Sequence, residues 1–157
     1  MSKLYVKESP KRGLGVFAKK LIKKGEVVLV WKGKKFKESQ VTPAMWKEDY
    51  LIPISKNEYV YTSDKKSKYV NHSCNPNCGV KGNLTLVAMK NTRAGEEITF
   101  DYSTMGFAKD WKMKNCNCGS KACRKTVRSY QFLSKKLKEK YKDFTSKYIL
   151  QALKEKQ

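Results

Sequence analysis

Three thiols crowd the run Cys116-x-Cys118-Gly119-Ser120-x-x-Cys123, where an intervening glycine allows a tight turn to aim several sulfurs at one point. A structural Zn²⁺ takes four thiolate or imidazole ligands in a tetrahedron. The run supplies three, so a fourth must come from elsewhere; Cys74, Cys78 and His72 are the candidates. Five cysteines is an odd number, which suits a four-ligand site plus one spare better than a disulfide framework. His72 is the only histidine. No carboxylate precedes it in a base–orienter pattern, which argues against a general base. Tyr59 and Tyr61 flank Val60, and an i, i+2 spacing puts both phenols on one face of a strand.

These groups need a scaffold, and the sequence supplies one of short strands. Leu4–Val6, Val16–Ala18, Val27–Trp31, Glu58–Thr62, Leu84–Ala88 and Glu97–Phe100 are β-branched or aromatic runs separated by turns at Arg12–Gly15, Lys24–Glu26, Gly82–Asn83 and Arg93–Gly95. Residues 36–50 are polar and mixed, with a short helix expected after Thr42-Pro43. Asn71–Cys78 is crowded with Asn, Ser and Pro and reads as irregular. Toward the C-terminus the period changes. Leu133, Leu137 and Tyr141 around Ser134, then Ile149, Ala152 and Leu153 after Ser146, predict two short amphipathic helices with Lys-rich outer faces.

At 157 residues the chain is long enough for one domain with a real core. Its charge is +21, from 35 basic and 14 acidic side chains. The excess is +9 in residues 1–40, +4 in 41–123 and +8 in 124–157, so the two ends are more basic than the middle. Such a field attracts polyanions, whether nucleic acid, an anionic membrane surface or a protein complexed with nucleic acid, and a Lys-rich surface also serves solubility alone. No apolar stretch approaches the ~20 residues of a membrane span, and the first residues lack a signal-peptide core. The expectation is an intracellular protein, with no membrane partner, whose cysteines stay reduced.

Four pieces of the chain, in order, resemble the SET-domain family of protein-lysine methyltransferases with a post-SET zinc segment. Arg12-Gly13-Leu14-Gly15-Val16-Phe17-Ala18 resembles the Gly-x-Gly motif, and Tyr69-Val70-Asn71-His72-Ser73-Cys74-Asn75-Pro76-Asn77-Cys78 the Asn-His-Ser-Cys motif. Gly95-Glu96-Glu97-Ile98-Thr99-Phe100-Asp101-Tyr102 resembles the closing motif, and Cys116-x-Cys118-x4-Cys123 the post-SET cysteines. The Gly-x-Gly alone is weak; the second and third together are specific.

The resemblance implies a mostly β fold of small sheets threaded as a pseudoknot, with short C-terminal helices. It implies a SET domain over 1–107, a post-SET zinc segment over 108–130 and a basic helical extension over 131–157. It implies S-adenosylmethionine as cosubstrate, held by Gly13, Leu14, Gly15, Lys68, Tyr69, Asn71 and His72. Tyr102 takes the catalytic place, and Tyr59, Tyr61 and Phe100 line the lysine channel. Cys74 joins Cys116, Cys118 and Cys123 on one structural zinc, leaving Cys78 as the spare. Phe at position 100, where the family has Tyr or Phe, implies room for two or three methyl groups. The implied substrate is a protein lysine, on a histone or another chromatin protein. Lys68 stands where the family often has Arg, and the segments before Asn71 and between 36 and 58 are short, so peptide selection departs from the pattern. Tyr130 or Phe132 is a further candidate to close over the cofactor. The competing reading is a zinc-stapled basic module that binds chromatin or nucleic acid without catalysis, which predicts loss of Tyr102, Gly13 or Asn71; all three are present.

Overall fold

The structure, a computed structural model, describes residues 2–10, 13–48, 51–62, 64 and 66–155. Arg12 of the Gly-x-Gly stretch, and Asp49 and Tyr50 at the end of the 36–50 region, lie outside the described residues.

Twelve strands and three helices are described, and the strands form five small sheets. β1 (Leu4–Ser9) and β2 (Gly13–Ala18) make an antiparallel hairpin. The turn expected at Arg12–Gly15 is therefore shorter than its glycines suggest, and Gly13–Gly15 already belongs to the strand. Only Gly13 uses its conformational freedom there, with φ +66°. β3 (Val27–Val30) is the edge of a three-stranded sheet. β4 (Gly33–Lys37), a Lys-rich strand without an apolar signal, is another edge. α1 (Pro43–Lys47) starts where Pro suits the first turn, and the Thr42 hydroxyl accepts the Met45 N–H at 3.3 Å.

β5 (Leu51–Pro53) and β6 (Glu58–Thr62) complete the sheet β4-β6-β5. β7 (Asn71–His72) is a two-residue strand inside the segment expected to be irregular. It forms because β10 (Thr99–Phe100) lies parallel beside it, pairing Asn71 with Thr99 and His72 with Phe100. Between them in sequence, β8 (Cys78–Lys81) and β9 (Thr85–Ala88) pair around the Gly82 turn, and β9 also pairs β3. β11 (Lys112–Met113) and β12 (Val127–Arg128) close a hairpin around the cysteine run.

α2 (Lys135–Lys140) is capped by the Ser134 hydroxyl, which accepts from Leu137 N–H at 3.3 Å. α3 (Lys147–Lys154) buries Tyr148, Ile149 and Ala152. Ser146 precedes it as expected, but its hydroxyl donates to Asn83 Oδ1 at 2.8 Å rather than capping its own helix. No described helix is long and apolar enough to cross a membrane.

The main core gathers one face of these strands, with Val16, Ile22, Val80, Leu86 and Ile98 fully buried and Trp31 against Phe100. A second cluster, Tyr130, Leu133, Tyr141, Tyr148 and Ile149, seats the C-terminal helices. A third consists of Cys74, Cys116 and Val127, with Trp111, Met113, Cys118 and Cys123 packed half-buried against it. It has few apolar side chains for the length of chain it organises, as expected where a metal substitutes for a core.

Candidate functional site

The parallel pairing of β7 with β10 brings the Asn-His-Ser-Cys and closing motifs side by side, and the site grows from that contact. Tyr102 follows β10, with its ring 4.9 Å from Phe100 and 5.3 Å from His72 between centroids. Its hydroxyl donates to the Val70 carbonyl at 2.9 Å. Tyr102 and Phe100 line a cavity of about 560 Å³, together with Trp31, Trp46, Tyr59 and Trp111. The rest of the described lining is Tyr148 with apolar or small residues and the charged Lys56 and Lys68; none of these described residues is Asp, Glu or His.

The two strand tyrosines part company. Tyr59 lines the cavity, its ring 5.0 Å from Trp46, and burial followed by the nearby Glu38 carboxylate pushes its phenol up from the ordinary range. Tyr61 shares that face of β6 but is not among the cavity's lining residues; its ring packs on Phe36 and its hydroxyl donates to Glu48. The period of two sets the face correctly, but one pair along a strand is ~7 Å.

A separate polar cluster joins the first three motifs. The Asn71 carboxamide donates to the Leu14 carbonyl at 3.1 Å and to Glu97 Oε1 at 2.7 Å. The other oxygen of Glu97 accepts from the Ser9 hydroxyl at 2.9 Å. Gly15 is buried beneath it, and a Cβ there would come within 2.4 Å of Glu97 Oε1. Gly13, Leu14, Gly15 and Asn71 are thus brought together, and Glu97 is the residue that ties them, although sequence reasoning passed it over as part of a motif. Tyr69 packs half-buried on the main core, with the Lys68 amine 5.2 Å from its ring centre.

The thiols converge as well. Ligand atoms of His72, Cys74, Cys116 and Cys118 lie within 4.8 Å of one another, a set that could hold a zinc ion. All five cysteines are free thiols, and Cys78 stands apart, fully buried, with burial pushing its thiol up to about 12. Burial also raises Cys74, to about 12, against the opposing contacts of Arg124. Burial acts the same way on Cys118. There the N–H groups of Cys74 and Ser120 and the thiols of Cys116 and Cys123 outweigh it and bring the group down to about 6. Cys123 therefore touches the same sulfur as the others, while its own thiol donates to the Cys116 carbonyl at 3.1 Å.

The imidazole is already engaged. The Tyr102 backbone N–H donates to His72 Nδ1 at 3.2 Å, so that nitrogen presents a lone pair and the proton sits on Nε2. Nε2 faces Cys74 Sγ at 3.2 Å. A ring nitrogen that carries a proton has no lone pair for a metal. The residue is 1% exposed, and its ring is wholly buried.

Next to the thiols lies a buried ion pair that the sequence did not announce. Arg124 Nη2 meets Asp101 Oδ1 at 2.7 Å, with 20% of the arginine side chain exposed and none of the aspartate. The same oxygen accepts the Ser103 N–H at 3.1 Å. Burial works to lower the Arg124 guanidinium, and Asp101 together with Cys74 more than offsets it, so the group is held above its ordinary range. Tyr141 reaches the pair from beyond α2, its phenol pushed up by burial and by Asp101. Tyr130 and Phe132, the candidate cofactor covers, go elsewhere. Tyr130 is buried in the C-terminal cluster, and Phe132 lies exposed with the Arg128 guanidinium 3.4 Å over its ring.

A domain of small sheets, with two motif segments running parallel into an aromatic cavity and a thiol cluster behind them, defines a distinct class of protein. The SET domain model matches residues 13–103, and the chain belongs to the SET-domain family. It is 27% identical over 143 residues to the histone-lysine N-methyltransferase ASHH3 of Arabidopsis thaliana, covering 81% of this chain and 39% of that protein. It is 31% identical over 128 residues to the histone-lysine N-methyltransferase ASHR3 of the same plant, covering 71% and 25%. The chain thus spans well under half the length of these relatives. Among solved structures, KRYPTONITE in complex with mCHG DNA and SAH is similar at a TM-score of 0.61 and 25% identity, over 79% of this chain and 28% of that one.

Proposed function

We propose that this chain transfers methyl groups from S-adenosylmethionine to the side-chain amine of protein lysine, on a histone or another chromatin-associated protein. The observation that carries the reading is the placement of Tyr102, its hydroxyl on the Val70 carbonyl at the wall of an aromatic cavity with no carboxylate among the described lining residues. Free lysine titrates near ~10.4 and must lose its proton to act as a nucleophile. Apolar walls disfavour the ammonium, and Lys56 and Lys68 at the lining disfavour it further. The aromatic faces still accept a methylated ammonium, whose charge is spread and weakly hydrated. Phe100 brings no hydroxyl to the cavity, which supports addition of a second and third methyl group.

S-adenosylmethionine, when bound, supplies the methyl group on a sulfonium. Gly13, Leu14, Gly15 and Asn71 are the residues to hold it, with Glu97 fixing Asn71, and with Lys68, Tyr69 and the backbone of His72 beside them. For zinc we assign Cys74, Cys116, Cys118 and Cys123, because the His72 ring is committed to Tyr102 N–H and Cys74. The regions 1–107, 108–130 and 131–157 then serve as SET domain, zinc segment and basic extension. Chromatin as the setting is supported by the relatives' histone activity and by the charge of +21, which favours a substrate already bound to nucleic acid over a free basic tail.

The test is transfer of labelled methyl groups to histones, nucleosomes and small chromatin proteins, with Tyr102→Phe alongside and products read by mass spectrometry. Labelling lost in Tyr102→Phe supports the reading, and product that stops at monomethyl removes the claim about Phe100. Zinc-loaded protein that binds no S-adenosylmethionine would return the chain to the competing class of a basic binding module.

A further inference from the structure

The cavity has a wall that neither family motif supplies. Tyr148, on α3 in the last part of the chain, lines it opposite the strand residues. Its hydroxyl donates to the Met105 carbonyl at 2.7 Å, which fixes the ring against the turn that follows Phe100 and Tyr102. Tyr59, on β6, lines the same cavity, and burial followed by the Tyr59 phenol pushes the Tyr148 phenol up from the ordinary range. Tyr148 is 7% exposed.

The helix cannot drift from this position without breaking several bonds. Ser146 N–H donates to the Thr104 carbonyl at 2.9 Å, on the same turn. Asn83 Oδ1 accepts from both Ser146 Oγ at 2.8 Å and Tyr148 N–H at 3.0 Å. The Asn83 amide in turn donates to the Ile54 carbonyl at 3.2 Å, beside the cavity residues Pro53 and Ser55. At the far end of α3, Glu155 pairs with Lys56, itself a lining residue, at 2.9 Å. The C-terminal helix thus bridges the turn that carries the reactive tyrosine and the β5–β6 turn on the other side of the opening.

We infer that α3 supplies the third wall of the substrate cavity through Tyr148, a specificity-determining residue that offers its ring to the ammonium end of the substrate lysine. The inference rests on the lysine reading of this cavity. It gives the extension a second duty beside any contact its lysines make with nucleic acid. A ring held by a buried hydroxyl bond presents its face to a cation at no cost in rotamer freedom, and among the described residues the other tyrosines that line the space are Tyr59 and Tyr102.

The test uses the full-length zinc-loaded protein and n-butyltrimethylammonium, a mimic of the methylated lysine side chain. Binding is read from the fluorescence of Trp31, Trp46 and Trp111, all of which line the cavity. Tyr148→Leu keeps apolar volume but removes the π face and the hydroxyl. It should weaken binding about tenfold. Tyr148→Phe keeps the face and should stay within about twofold of wild type. In methyl transfer, Tyr148→Leu should raise KM for a lysine peptide by a similar factor and leave S-adenosylmethionine affinity unchanged. A folded Tyr148→Leu protein with wild-type ammonium binding overturns the inference, as does a wild-type protein that does not bind the ammonium at millimolar concentration. Ammonium binding that depends on Tyr148 in a protein with no transferase activity would sustain the wall and remove the enzymatic reading instead.

Discussion

Asp101→Asn isolates the buried pair that holds the Phe100–Tyr102 segment. Asp101 sits between Phe100 and Tyr102 in the chain, has no side-chain exposure, and meets Arg124 at 2.7 Å. Removing one member of a buried pair costs about 3–5 kcal/mol, because the other charge is left without compensation. Arg124 keeps water over 20% of its side chain, and Asn can still accept the Ser103 N–H, so the cost should fall at the low end, about 3 kcal/mol. For a chain of this size each kcal/mol moves Tm by about 2–4 °C, giving a fall of roughly 6–12 °C. The reverse change, Arg124→Met, strands a carboxylate with no access to water and belongs at the high end, about 5 kcal/mol or roughly 10–20 °C. The double variant removes both charges and should be less unstable than the sum of the two by about 2 kcal/mol. Calorimetry of the zinc-loaded proteins at neutral pH measures all three. A Tm for Asp101→Asn within about 2 °C of wild type, or an Arg124→Met that is the milder change, would falsify the account.

Three further outcomes follow from the same geometry. Metal analysis should find one zinc per chain in wild type and in His72→Asn, and a clear loss in Cys123→Ser; the opposite pattern would make the imidazole the fourth ligand. Gly15→Ala places a Cβ against the Glu97 carboxylate and disturbs its bond to Asn71, so S-adenosylmethionine binding by calorimetry should weaken about tenfold with the fold retained; unchanged affinity would separate this cluster from the cofactor. The phenols of Tyr141 and Tyr148 are raised in the folded state. Their stabilising contribution is therefore complete below the ordinary phenol range near ~10 and is lost as pH rises above it, by up to about 1.4 kcal/mol per pH unit for each group. Tyr148→Phe should flatten the alkaline fall in stability, and an unchanged slope would mean that this phenol ionises as freely folded as unfolded.

The chemistry of this chain was legible where it rests on contiguous residues. The cysteine run announces a metal by its spacing, and β6 shows its face by alternation. The serines before α2 and α3 mark helix starts, although Ser146 spends its hydroxyl on Asn83 instead. The three motifs carry Tyr102, Phe100, Asn71 and Gly15 in contiguous runs that can be read directly. What the sequence could not convey is pairing across distance. Asn71–His72 is extended only because Thr99–Phe100 lies alongside it, and no local propensity encodes a parallel partner so far along the chain. β4 is a strand because β6 offers it hydrogen bonds, despite four charged or glycine residues out of five. Tyr61 and Tyr59 look alike in sequence, and only their position along β6 separates a cavity wall from a surface contact with Glu48. The ion pair of Asp101 with Arg124, the role of Glu97 and the arrival of Tyr148 in the cavity were all decided by tertiary structure. In each case a polar group that burial would penalise finds its partner on a distant segment, and only the folded chain determines which segment that is.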